Sequence, residues 1–224
     1  MKTTFRLIHI YQLSCDKGVI FYEPADYIVF YTKVSCCAKK FGLRLAGLCI
    51  MLNHFHIAVV SELTPSISDT ISKFMAELQI YFAKEYNSYY GRSGPLFMRG
   101  FGSAVKRDEK AMRTHLAYLF NNPVEKWICA RAEGYKCNFL AYAVSNRPFS
   151  EKIPLRFASH RFRKATDSVK SLARRNKPIG YHVMELINRN LDKAEKKMLI
   201  DYIISKYMCI DWNIGIRLFG GYGK

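Results

Sequence analysis

The sequence predicts an α+β protein, an antiparallel sheet with helices on one face followed by a basic helical appendage. Three observations predict it. Short β-branched and aromatic runs alternate with stretches of helical periodicity in the order strand, helix, strand, strand, helix, strand, helix. Half of the 224 residues are hydrophobic, enough for a packed core and too many for a disordered chain. The composition then changes near residue 146, where a basic, proline-broken stretch begins.

Phe5 to Leu13 reads FRLIHIYQL, dense in β-branched and aromatic residues, as a strand does. Pro24 suits the first turn of a helix, and apolar groups at helical spacing continue from it to Gly42. LRLAGLCI and MLNHFHIAVVS follow with almost nothing between them, so they form a tight hairpin around Met51 to Asn53. Between Pro65-Ser66 and Gly91, Ile67, Ile71, Phe74, Leu78 and Phe82 recur every three to four residues and mark the clearest helix. RSGPLFMRGFGSAV is a glycine-punctuated loop that enters a strand. Asp108 caps a second helix, which Pro123 ends or kinks near Asn122. Residues 1–145 thereby read as one domain. Residues 146–224 read as a linker and an appendage, with one or two amphipathic helices over 182–208. The final LFGGYGK is a flexible tail or the mark of a truncation.

The chain carries 35 Lys and Arg against 18 Asp and Glu, a formal net charge of +17. The excess is spread along it: 19 basic against 11 acidic groups in the first 150 residues (+8), and 16 against 7 in the last 74 (+9). Such a field favours a polyanion, nucleic acid first and an anionic membrane surface second. No stretch reaches the roughly 18 apolar residues of a membrane span, and the N-terminus lacks a signal-peptide pattern, so a cytoplasmic protein is expected. Seven cysteines, at 15, 36, 37, 49, 129, 137 and 209, form no C-x-x-C pair. They offer no zinc knuckle and read as free thiols in a reducing compartment.

His54-Phe55-His56 lies inside an apolar strand. Alternation puts both imidazoles on one face, about 6–7 Å apart, where they can grip one cation or remain satisfied polar groups. Tyr118 and Asn122 are four residues apart on one face of the second helix. Asn122 can supply an amide oxygen as third ligand, or cap the helix before Pro123; Tyr118 can stand beside the metal, or pack near Leu116 and Leu119. Residues 86–107 interleave Tyr86, Tyr89, Tyr90, Phe97 and Phe101 with Arg92, Arg99, Lys106 and Arg107. That mixture suits single-stranded nucleic acid, whose bases stack on rings while cations follow phosphates. Arg161, Arg163, Lys164, Lys170, Arg174, Arg175 and Lys177 form either a DNA-backbone patch or a solvated helix face.

Taken together, Asn53-His54-Phe55-His56, then YFAKEYNSYYGRSGPLFMRGF, then Tyr118-Leu119-Phe120-Asn121-Asn122-Pro123-Val124 resemble, in order and spacing, the REP-associated tyrosine transposases, single-tyrosine HUH endonucleases related to insertion-sequence transposases. The resemblance covers about residues 5–142. Leu52 stands where that family usually has proline, and Phe120 or Asn121 where it usually has histidine. The resemblance implies a ferredoxin-like or RRM-like sheet displaying the His pair, with the tyrosine-bearing helix laid across it. It further implies His54, His56 and Asn122 as ligands of Mg²⁺ or Mn²⁺, and Tyr118 as the nucleophile. The expected activity is cleavage and transfer of single-stranded or hairpin DNA through a 5′-phosphotyrosine, by a monomer or a homodimer. The alternatives are a catalytically inactive nucleic-acid-binding protein on the same fold, and an RNA-binding domain of RRM type.

Overall fold

The computed structural model describes residues 5–62, 64–154 and 159–220. A four-stranded antiparallel sheet, β1 (Arg6–Leu13), β2 (Arg44–Ile50), β3 (His54–Ser61) and β4 (Gly102–Lys106), has the order β2-β3-β1-β4. The helices are α1 (Pro24–Lys40), α2 (Ile67–Tyr90), α3 (Glu109–Glu125), α4 (His160–Arg174), α5 (Tyr181–Asn188), α6 (Lys193–Lys206) and α7 (Trp212–Phe219). Through α3 the chain runs β-α-β-β-α-β-α, the expected order of the ferredoxin-like supersecondary unit. Of LFGGYGK, Leu218 and Phe219 close α7, and 221–224 lie outside the described residues.

Local chemistry sets the element ends. Pro24 occupies the first turn of α1, and the Asp26 carboxylate accepts from the Tyr22 and Glu23 amides at 2.8 Å each. Gly91 stops α2 with φ +61. Asp108 caps α3 by accepting from the Ala111 amide at 2.8 Å. Pro123 does not end α3 where expected. It sits in the last turn, where its missing N–H removes a single ladder bond, and the helix runs on to Glu125.

Helices cover both faces of the sheet rather than one. Ile8, Ile10, Leu48, Phe55, Ile57 and Val59 pack against α1 and α2, while Leu7, Ala46, Ala58 and Val60 pack against Met112, Leu116 and Leu119 of α3. The reason lies in β3, whose IAVV run is apolar at both parities, as in a strand buried on both sides.

The C-terminal helices form no separate core. α5 and α6 lie against α1, and α4 packs on both. Phe162, Val169, Tyr181, Leu199 and Ile203 belong to the same apolar cluster as α1 and α2. The expected linker is tied down as well: buried Asp201 of α6 accepts from the Tyr142 hydroxyl (2.6 Å) and from the Ser150 amide and hydroxyl (2.8 and 2.6 Å). Beyond α6 the chain passes along the edge of β2, where the Asp211 amide donates to the Leu45 carbonyl at 2.8 Å, and α7 then docks on α3. The boundary expected at 145/146 therefore separates no two cores. All seven cysteines are free. Among the described residues no helix is long and apolar enough to cross a membrane.

Candidate functional site

Alternation along β1 puts Leu7, His9 and Tyr11 on the sheet face that α3 covers, and along β3 it puts His54, His56, Ala58 and Val60 there. The apolar members fill the space beneath α3. The polar members collect towards one end, where α3 presents His115, Tyr118 and Asn122 at i, i+3 and i+7. His54 and His56 face one another with ring centres 5.1 Å apart, and the His56 ring lies 6.0 Å from the Tyr118 ring.

Hydrogen bonding fixes what each imidazole offers. The Asn122 amide nitrogen, which can only donate, lies 3.4 Å from His56 Nε2 and 3.2 Å from the Tyr118 hydroxyl. His56 Nε2 is thus an acceptor, and the proton sits on Nδ1, which donates to His9 Nε2 at 2.9 Å. Asn53 gives its amide N–H to the Lys17 carbonyl, so its oxygen accepts from His54 Nδ1 at 2.7 Å. Both His54 and His56 therefore carry their proton on Nδ1 and leave Nε2 unprotonated, that of His56 accepting from Asn122, the arrangement outer hydrogen bonds impose on metal-binding histidines.

Burial makes these imidazoles neutral. It pushes His9 and His56 down to about 3, with His115 and Lys106 adding to the effect on His9, and His54 and His9 to that on His56. His115 falls to about 4 through burial and Lys106, and His54 is lowered by burial and the charge of Lys126. Buried atoms at the site lack partners: Asn122 Oδ1, in a residue only 2% exposed, and His115 Nε2. Among the described residues no three His, Cys, Asp or Glu side chains form a metal cluster. A cation here would rest on two imidazoles and the Asn122 amide. Tyr118 is 40% exposed at the mouth, and Tyr11 stands beside His56 with ring centres 6.4 Å apart. Gly102 opposite Tyr11 must be small, because a Cβ there would collide with the phenol ring.

The structure thus brings His54, His56, Tyr118 and Asn122 together, and adds His9 and His115, which the sequence reading missed. The His115-x-x-Tyr118-x-x-x-Asn122 spacing on one helix could have signalled His115, whereas His9 joins the site only through the pairing of β1 with β3. Arg92 and Arg99 are exposed on a cleft of about 790 Å³ between residues 15–22 and 92–99, at the sheet end that holds His54. Lys106 is half-buried on the histidine side of β4, and Arg107 beyond it is exposed. Tyr86 borders that cleft but has little surface left for stacking, with the Arg92 guanidinium over its ring at 5.7 Å from the centroid. It faces the core one turn after Phe82 on α2, is 3% exposed, and packs against Phe82, Tyr90 and Tyr181. Arg161, Arg163, Lys164, Arg174 and Arg175 are exposed on α4, with Phe162, Ala165 and Val169 turned inward. The sheet and α1 separate them from the histidines.

Neither a scan against protein-family models nor a search of curated proteins returns a match for this chain. Solved structures do match, among them a REP-associated tyrosine transposase bound to a REP hairpin, at 12% identity and a TM-score of 0.50, over 64% of this chain and 81% of that one. At that identity the likeness is one of fold, an α+β sheet-and-helix architecture shared with a tyrosine transposase.

Proposed function

We propose that this protein is a metal-dependent, single-tyrosine DNA endonuclease and strand transferase acting on single-stranded or hairpin DNA. One observation carries the reading: an exposed phenol and a buried, half-satisfied amide stand within hydrogen-bond distance of each other, beside a histidine whose Nε2 is unprotonated. A half-turn of the Asn122 amide exchanges its nitrogen and oxygen and gives two imidazole nitrogens and one amide oxygen, the set that would hold Mg²⁺ or Mn²⁺. When bound, the cation supplies charge neutralisation and polarisation at the scissile phosphate. With no carboxylate in the set, phosphate oxygens of DNA would complete the shell, so metal and DNA bind cooperatively.

In the reaction Tyr118 Oη attacks the phosphorus and releases its phenolic proton to water. The P–O3′ bond breaks, and the leaving 3′ oxygen takes up a proton as a free hydroxyl. The 5′-phosphotyrosine retains the phosphodiester energy, and attack by another 3′-hydroxyl rejoins a strand and returns the phenol. Arg92 and Arg99 in the cleft beside His54 would follow the phosphates of the bound strand. The α4 cations, in a separate layer, would contact a more distant part of the DNA. The REP hairpin bound by the structural neighbour supports DNA as the partner.

The test is to incubate the full chain with labelled hairpin DNA bearing a single-stranded flank, in Mg²⁺ or Mn²⁺, and look for an adduct that survives denaturation. Tyr118→Phe should abolish the adduct and leave DNA affinity within about twofold, since only the hydroxyl is lost. Binding by the wild-type chain without any adduct would leave the nucleic-acid-binding reading in its place.

A further inference from the structure

The C-terminus of α3 is built against the preference of its own residue. The Ile128 amide donates to the Pro123 carbonyl and the Trp127 amide to the Val124 carbonyl, each at 2.9 Å, the paired bonds of a Schellman cap. That cap needs one left-handed residue, a place glycine fills without steric penalty. Here Trp127 fills it, at φ +58. A bulky L side chain in this conformation crowds the following carbonyl oxygen.

The fold gains nothing from the indole in return. Trp127 is 94% exposed and packs on no other ring among the described residues, whereas Trp212 is half-buried against Phe120. The placement is close to the chemistry. Trp127 lies five residues beyond Asn122, about 8 Å along a helix axis, or about two nucleotides of a stacked strand. Glu125 and Lys126 before it are exposed and charged, and the one large apolar neighbour in sequence is half-exposed Ile128, so the ring stands out from a small apolar step rather than a broad patch.

We propose that Trp127 is a stacking platform for an unpaired base of the strand that Tyr118 cleaves, positioning the nucleotide next to the scissile phosphate. A ring 94% exposed next to a lysine, on a chain of charge +17, fits a nucleobase with its attached phosphate. The proposal rests on the reading of the site as a DNA-cleaving centre.

The chain has two tryptophans, so Trp212→Phe leaves Trp127 as its only indole. In that background a hairpin with a single-stranded flank is titrated in, with indole emission and anisotropy of the labelled DNA followed together. Emission should be quenched on binding, and a blunt duplex should not quench it. Trp127→Ala should weaken binding of the flanked hairpin about tenfold, and Trp127→Phe should recover most of it. Trp127→Gly separates a platform from a structural side chain: it should raise the thermal midpoint while weakening DNA binding, whereas loss of a structural tryptophan lowers the midpoint. DNA that binds with unchanged emission, and equally well to Trp127→Ala, overturns the platform and leaves the DNA-cleavage reading standing. Failure of the wild-type chain to bind the hairpin at low salt overturns both. A dimer that Trp127→Ala dissociates without changing DNA affinity makes the ring a contact between copies and also overturns the platform.

Discussion

His56 owes its unprotonated Nε2 in part to a residue on another strand. His9 accepts from its Nδ1 at 2.9 Å, and a side chain that cannot accept would leave that proton, and the ring angle, undetermined. His9→Phe keeps a flat ring, slightly larger, and removes the acceptor. Mn²⁺ affinity in the presence of DNA should fall about 10–100-fold, with the thermal midpoint little changed; unaltered Mn²⁺ affinity would remove His9 from the site. The pair His54 and His56 and the pair Tyr118 and Asn122 were legible in the sequence because each is a local spacing on one element. His9 was not, because it meets His56 only through the β1–β3 register that places His9 opposite Ala58. Tyr86 was misread for a related reason. Its phenol resembles its neighbours Tyr89 and Tyr90 in the string, and only the helical phase from Leu78 and Phe82 turns it inward.

Between elements, Glu77 of α2 joins two lysines of α1, Lys33 at 2.8 Å and Lys40 at 2.5 Å. Hydrogen bonds from Lys33 and Lys40 bring its carboxyl down to about 2 from the usual 4.5. A depressed carboxylate stabilises the fold above its unfolded value and loses that contribution as pH falls through its folded value. The window is therefore pH 4.5 down to about 2. Partial exposure of the group limits the contribution to about 1 kcal/mol. Urea midpoints measured at pH 5 and pH 3 should drop further for the wild type than for Glu77→Gln, and equal drops would show that the network does not bind α1 to α2. The bounds of α1 and α2 and the start of α3 followed from proline, aspartate and glycine signals within a residue or two, while α3 ran three residues past the end that Pro123 suggested. The α4–α7 boundaries were less legible, because lysines and arginines mask the short apolar stripes of α4 and α6 that decide their packing.

At the scale of the whole molecule, the C-terminal third closes the structure. Twelve residues of α1 are buried, and α1 has the sheet on one side with α5 and α6 on the other. Removing residues 151–224 lowers the formal charge from +17 to +8, by 16 basic and 7 acidic groups, and also strips the outer cover from α1. The shortened chain should aggregate or lose its cooperative melt, as read by gel filtration and circular dichroism. A monomer with a sharp transition would show instead that residues 1–150 hold together alone. The covering helices also impose an order in time. Tyr31 of α1 donates to the Ile204 carbonyl, 173 residues later in the chain. A ribosome adding about 5–20 residues per second spends several seconds between α3 and that partner. During that interval the residues of the site have all been made while the outer surface of α1 has nothing to cover it, so the apolar side of α1 is open to other chains until the last helices arrive.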